Sequence, residues 1–146
     1  MFGPAGTSYV YFIYGMYHCL NIVTDLVGVG SAVLIRAIAL ESLPEEYQHL
    51  KGDVSGRLRL RIAAGPGKLC RVFQINSSLN GLPLCADGPL WLEHRSAEFQ
   101  EGVDGGASAF VQTTRIGISQ GVDLPWRWYL ANCGAVSKLD KSLSKQ

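Results

Sequence analysis

The stretch Thr7-Ser8-Tyr9-Val10-Tyr11-Phe12-Ile13-Tyr14-Gly15-Met16-Tyr17-His18-Cys19-Leu20-Asn21-Ile22-Val23-Thr24 decides the fold. Tyr9 to Tyr14 is aromatic or β-branched at every position, a composition that suits a pleated strand. Gly15-Met16 lets the chain reverse, so Tyr17 to Thr24 becomes the second strand of an antiparallel hairpin with Tyr14 at or near its tip. Tyr9, Tyr11 and Ile13 alternate with Val10, Phe12 and Tyr14, so one face must be buried. The first 24 residues hold no Lys, Arg, Asp or Glu, which makes a membrane span over Tyr9 to Val23 the rival reading. The apolar part falls short of the ~20 residues a bilayer needs, and four tyrosines, His18, Asn21 and Gly15 interrupt it. Two strands fit better.

Working outward, Met1 to Ser8 is turn-like and Asp25 to Ser31 is a loop with two glycines. Ala32 to Leu40 is apolar except for Arg36, which suggests a strand buried on both faces and an arginine in need of a partner. Ser42-Leu43-Pro44-Glu45 has capping-box spacing, so a short helix should run from about Leu43 to Leu50, broken by Lys51 to Gly56. Gly65-Pro66-Gly67-Lys68 reads as a glycine turn opening onto a helix N-terminus, where free N–H groups face an anion. It lacks the P-loop spacing. Asn80-Gly81 and Asp87-Gly88 mark turns, Leu90-Trp91-Leu92 a strand and Glu98 to Ala107 a loop. Thr113 to Ile118 and Trp126 to Leu130 read as two further strands, and the tail from Lys138 as frayed.

A length of 146 residues with 47% hydrophobic side chains fits one domain with a real core and excludes intrinsic disorder. The net charge of +1 excludes a global excess of positive charge, so any nucleic-acid footprint must be local. One region stands out: Arg57, Arg59, Arg61, Lys68 and Arg71 occur with no acidic residue between Arg57 and Arg71. Cys19, Cys70, Cys85 and Cys133 are scattered without metal-ligand spacing and read as reduced thiols, buried as small hydrophobes, in an intracellular protein. His18, His49 and His94 show no partner spacing and receive no role.

Two readings of the hairpin stand open: a plain core strand, or aromatic rings beside a positive stripe onto which unstacked bases settle. The glycine turn is likewise either a phosphate contact or an ordinary loop-to-helix turn. Asn21 and Arg36, polar groups in apolar strands, each need a partner or a ligand.

The segment Thr7 to Asn21 resembles the hairpin signature of the alkyladenine (3-methylpurine) DNA glycosylase family. Val33-Leu34-Ile35-Arg36-Ala37, Gly65-Pro66-Gly67-Lys68-Leu69-Cys70, Arg115-Ile116-Gly117-Ile118 and Pro125-Trp126-Arg127-Trp128-Tyr129 agree with it in order. The resemblance implies a single mixed α/β (α+β) domain over residues 1–146, with a curved antiparallel sheet, a protruding aromatic hairpin and short flanking helices. It implies hydrolysis of the N-glycosidic bond of alkylated or deaminated purines in double-stranded DNA, by a monomer without metal or other cofactor and without membrane association. The compartment would be the cytoplasm in a bacterium and the nucleus in a eukaryote.

Residue by residue, the resemblance makes Tyr14 the tip that enters the minor groove and replaces the flipped nucleotide. Tyr11 would stack on the extruded base, and Asn21 would crowd the 2-amino group of guanine, selecting by exclusion. Arg36 would stand beside the attacking water, and Gly67 with Lys68 would contact phosphate. The family's general-base glutamate, a second stacking tyrosine and a pocket histidine lie upstream of the hairpin and have no counterpart here, and no carboxylate of this chain, Asp25 included, matches the base. Tyr47 and Trp128 stand where relatives commonly carry methionine and phenylalanine, a tolerable core variation. The expectation is an N-terminally incomplete glycosylase of lowered stability. Its rivals are a lesion-binding protein that works without catalysis and a β-rich ligand-binding domain unrelated to DNA.

Overall fold

β1 (Ser8–Ile13) and β2 (Tyr17–Val23) pair antiparallel in the register Ser8↔Ile22, Tyr9↔Asn21, Tyr11↔Cys19 and Ile13↔Tyr17. They form the hairpin that the aromatic run requires. A computed structural model describes residues 1–52 and 56–139. Helices and antiparallel strands occur together in an α+β arrangement, and the chain divides into two compact units, Met1–Glu93 and His94–Gln146. Among the described residues, no helix is long and apolar enough to cross a membrane.

In the first unit β3 (Ala32–Leu34) joins the far side of β2, with Asn21 opposite Leu34, giving the order β1-β2-β3. A 3-10 helix follows over Glu45–Gly52, then α1 (Arg57–Arg61), α2 (Pro66–Val72) and a 3-10 turn at Ser77–Leu79. The core forms where α2 lies on the hairpin: Leu69 and Cys70 pack with Val10, Leu20 and Ile75, flanked by Ile35, Leu79 and Leu90. Leu69 has no exposed surface. Burying one such leucine contributes about 1.5–3 kcal/mol, so this junction supplies much of what a bare hairpin lacks.

The outer edge of β1 is closed by the loop after Leu79. The Ser8 N–H donates to the Leu82 carbonyl at 2.9 Å, the Gly81 N–H to the Ser8 carbonyl at 2.9 Å and the Leu84 N–H to the Gly6 carbonyl at 2.9 Å. Ser8, itself buried, donates its hydroxyl to the Leu79 carbonyl at 2.5 Å, while Asn80 Oδ1 accepts the Val10 N–H at 2.9 Å. An open edge is thereby avoided. The strand expected at Leu90–Leu92 does not form, and Trp91 donates its indole N–H to Glu93 at 2.9 Å.

The strand expected over Ala32 to Leu40 is corrected to three residues. The Ile35 N–H still reaches the Leu20 carbonyl at 3.0 Å, but the chain then leaves β2, with Ala37 bridging Ala64 and the Ile38 N–H donating to Ala63. β3 is therefore an outer strand with Val33 54% exposed, and Arg36 lies beyond it, exposed. The Leu43–Leu50 helix is instead 3-10 in kind and shifted to Glu45–Gly52; the Tyr47 N–H bonds Pro44, three residues back, at 2.9 Å. Of the break expected at Lys51 to Gly56, residues 53–55 lie outside the described residues, as do residues 140–146 of the tail. Cys19 and Cys70 are buried as expected, whereas Cys85 is exposed.

In the second unit, the loop expected over Glu98 to Ala107 is largely a helix, α3 (Ala97–Asp104), capped by Ser96, whose Oγ accepts the Phe99 N–H at 3.2 Å. β4 (Phe110–Thr113) pairs with β5 (Arg127–Leu130), from Phe110↔Leu130 to Thr113↔Arg127. The strand expected at Thr113 to Ile118 thus sits earlier, because pairing with β5 ends at Thr113. Arg127 stacks over the Tyr129 ring at 4.6 Å, and Arg95 over Phe110 at 5.2 Å.

Asn80→Ala removes the acceptor of the buried Val10 amide. The expected cost is about 1–2 kcal/mol, read as a lower urea midpoint with an unchanged slope.

Candidate nucleic-acid interface

Alternation along β1 and β2 separates the hairpin into two faces. Val10 and Leu20 point at α2, whereas Tyr9, Tyr11, Cys19 and Asn21 share the opposite face. On that face the Tyr9 and Tyr11 rings lie 5.5 Å apart, tilted by 38°. Asn21 is 6% exposed, and its Nδ2 donates to the Tyr9 carbonyl across the strand pair at 3.0 Å. The side chain is therefore held, and the partner that a polar residue in an apolar strand demands is backbone. Burial above all, then the Cys19 thiol and the hydroxyls of Tyr9 and Tyr14, raise the Tyr11 pKa, so Tyr11 is a neutral phenol at physiological pH.

Tyr14 occupies the tip. It is 82% exposed, and with Gly15 it forms the centre of a turn closed by the Met16 N–H on the Ile13 carbonyl at 3.3 Å. Both central residues have positive φ, 54° for Tyr14 and 68° for Gly15, as a primed hairpin turn requires. Glycine adopts this freely, but in a tyrosine it costs roughly 1–2 kcal/mol. An aromatic ring projected into water from a strained turn gains nothing for the fold, which makes Tyr14 a candidate contact residue.

The glycine turn lies against the tip end of this hairpin. Gly65 caps α2 with no side-chain hydrogen bond, and Pro66 occupies its first turn. A Cβ on Gly67 would stand 2.9 Å from the Tyr17 ring, so the start of α2 rests directly on β2 and only glycine fits. Lys68 and Arg71 are exposed while Leu69 and Cys70 are buried, so the helix turns its cations outward beside the tip. Between β2 and α2 lies a cavity of about 300 Å³ lined by Met16, Tyr17, His18, Gly67, Cys70, Arg71 and Ile75. Burial pushes the Cys70 thiol up to about 11, the nearby Cys19 adding to this and the Leu20 backbone opposing it, so this wall is neutral. A second cavity of about 330 Å³, lined by Pro4, Ala5, Thr24, Asp25, Leu26 and Val27, lies at the opposite end of the hairpin.

Of the residues the sequence singles out, Tyr11 and Asn21 share one face, Tyr14 stands at the tip, and Gly67 and Lys68 flank it through Tyr17. Arg36 follows two residues after Leu34, the strand partner of Asn21, and makes no ion pair or side-chain hydrogen bond among the described residues. The buried partner expected for it is not there, because the strand ends first. Neither cavity takes in Tyr11, Asn21 or Arg36. Sequence reading gave no site role to Met16, Tyr17 or His18 and counted Arg71 only within the basic stretch; the close approach of Gly67 to Tyr17 that gathers them spans 50 residues and has no local signature.

The exposed tip tyrosine, the tyrosine–asparagine face and the cations of α2 together form one candidate interface on the hairpin. The methylpurine-DNA glycosylase family matches residues 1–134, and the chain belongs to that family. A protein of Trichodesmium erythraeum (strain IMS101) is 56% identical over 139 residues, 94% of this chain and 67% of its own. One of Synechococcus sp. (strain JA-3-3Ab) is 50% identical over 143 residues, with the same coverage. A third, of Synechococcus elongatus, is 45% identical over 141 residues, 97% of this chain and 61% of its own. All three carry the name "Putative 3-methyladenine DNA glycosylase". The chain spans about two thirds of the length of these relatives.

Gly67→Ala is expected to cost about 1–3 kcal/mol by forcing Tyr17 from α2, and the loss should shrink in a Tyr17→Ala background; a double-mutant cycle by urea denaturation measures the coupling. The raised Cys70 pKa has a sign as well. Below the ordinary thiol range native and unfolded chains both keep the proton, and between that range and about 11 only the native chain does. Stability therefore falls as pH rises through this window, and less steeply in Cys70→Ala than in the parent.

Proposed function

We propose that this chain engages duplex DNA at an alkylated or deaminated purine, extrudes the damaged nucleotide and serves hydrolysis of its N-glycosidic bond, residues 1–146 acting as one glycosylase domain. The observation that carries the reading is Tyr14, an exposed aromatic ring on a strained tip beside the cations of α2. Tyr14 enters the minor groove and fills the gap left by the extruded nucleotide, replacing lost stacking. Tyr11, a neutral phenol, stacks on the base. Asn21, tied to the Tyr9 carbonyl, crowds the 2-amino group of guanine and so favours adenine-type lesions. Gly67 and Lys68 grip a backbone phosphate, and Arg36 positions the water that adds to C1′ as the purine leaves.

One observation favours a second reading, lesion binding without hydrolysis. β1, β2 and β3 carry no Asp or Glu, and Arg36 has no carboxylate partner among the described residues. A general base contributes ~10²–10⁴-fold, so its presence decides between a cutting and a binding protein.

A single-turnover assay with alkali cleavage, on duplex DNA holding one ethenoadenine or hypoxanthine beside an undamaged control, separates the two. Lesion-dependent nicks establish the glycosylase; lesion-selective gel retardation without nicks establishes the binding protein. In either case Tyr14→Ala is expected to abolish lesion selectivity without lowering the melting temperature. Lys68→Ala should reduce the slope of log affinity against log salt by about one. Affinity indifferent to salt would sink both readings and leave a domain unrelated to DNA.

A further inference from the structure

Of the residues that line the recess between β2 and α2, only Gly67 has a role above. It lies just behind the tip, with Met16 and Tyr17 as its rim, and His18 and Arg71 are the basic residues that line it. No carboxylate lines it. Arg71 is exposed and, among the described residues, makes no ion pair or side-chain hydrogen bond. Lys68, also exposed, stands three residues earlier on the same helix face. His18 lies across the strand pair from Phe12, its ring 4.9 Å from the phenyl ring, a contact that steadies the imidazole.

Positive charge beside an acid-free recess selects an anion. At about 300 Å³ the space equals roughly ten water volumes and sits at the small end of ligand pockets. That suits a tetrahedral oxyanion with its hydration and leaves little room for a base together with its sugar. A planar guanidinium offers two parallel N–H donors to such a group, and the imidazole offers a third from the other wall. The neutral Cys70 thiol does not repel it.

We propose that this recess seats one phosphodiester of the bound duplex, held between Arg71 and His18, so that the backbone beside the point of Tyr14 insertion is gripped from within the hairpin–helix junction. This rests on the DNA reading above and adds two residues to it. The seat fixes how far the hairpin tip can enter the groove, because Met16 and Tyr17 join the tip to the recess. Arg71 and His18 are positioning residues: they touch the DNA backbone and never the base or C1′.

The test is fluorescence anisotropy of the full chain on an undamaged duplex across a salt series. Parent, Arg71→Gln, Arg71→Lys and His18→Phe are compared, each first matched to the parent in thermal melting. Arg71→Gln is expected to weaken binding about tenfold and to reduce the salt slope by about one. Arg71→Lys should restore the slope while recovering only part of the affinity, since a point charge lacks the planar fork. His18→Phe, which keeps the ring against Phe12 but loses the donor, should weaken binding several-fold. A parent that binds with a steep salt slope while Arg71→Gln keeps that slope overturns the seat and leaves the DNA reading intact. A parent without salt-dependent binding overturns both. Arg71-dependent binding of millimolar inorganic phosphate that leaves duplex affinity unchanged at fixed ionic strength assigns the recess to a free phosphate and overturns its role in gripping DNA.

Discussion

Leu69 sits without exposed surface where α2 meets Val10 and Leu20, and the candidate interface is arranged from that contact. A two-stranded hairpin is marginal in water, however aromatic its strands. The helix covers one face and so releases the other for a task. Helical periodicity then sets what else α2 presents: with Leu69 and Cys70 turned inward, Lys68 and Arg71 must turn outward, and Gly67 falls where the helix touches Tyr17. Charge placement at the interface is thus a by-product of where one leucine is buried.

Rigidity and exposure meet at the hairpin tip. β1 is fastened on both sides, by β2 and by the loop through Asn80 and Leu82, which closes its outer edge with backbone and side-chain hydrogen bonds. Such a frame tolerates a tyrosine in left-handed conformation that a free peptide would relax. Asn21 shows the same economy: the amide that would be costly in an apolar strand spends one N–H on the Tyr9 carbonyl, and its fixed orientation makes it fit to select by exclusion. The chain belongs to the methylpurine-DNA glycosylase family, and under the function proposed above a stiff tip beside a fixed side chain suits a base that leaves the duplex.

The hairpin was legible because its signals are local: aromatic and β-branched strands, a glycine at the reversal, a pairing partner next in sequence. The start of α2 was legible for the same reason, from Gly65-Pro66-Gly67. Ala32–Leu40 misled because an apolar run announces burial and says nothing of how many neighbours a strand finds; here pairing stops at Leu34 and Arg36 lies outside the sheet. Leu90–Leu92 misled in the same way, an apolar run that forms no strand. In α3 two signals conflicted: glycines at 102, 105 and 106 argued for a loop, yet the Ser96 cap carried a helix as far as Asp104.

The sequence by itself determined the aromatic hairpin with Tyr14 at its turn, the glycine-led helix carrying Lys68, the local concentration of positive charge and the family resemblance, because each is written in residues close together along the chain. Tertiary structure alone decided that Gly67 lies against Tyr17, that Arg71 and His18 face one recess, that Asn80 closes the edge of β1, and that Arg36 stands exposed beyond its strand. Those outcomes depend on which surfaces win the competition for burial between segments 50 and more residues apart. Local pattern sets the candidates for that competition; only the packed core, through excluded volume and the need to pair every buried amide, picks among them.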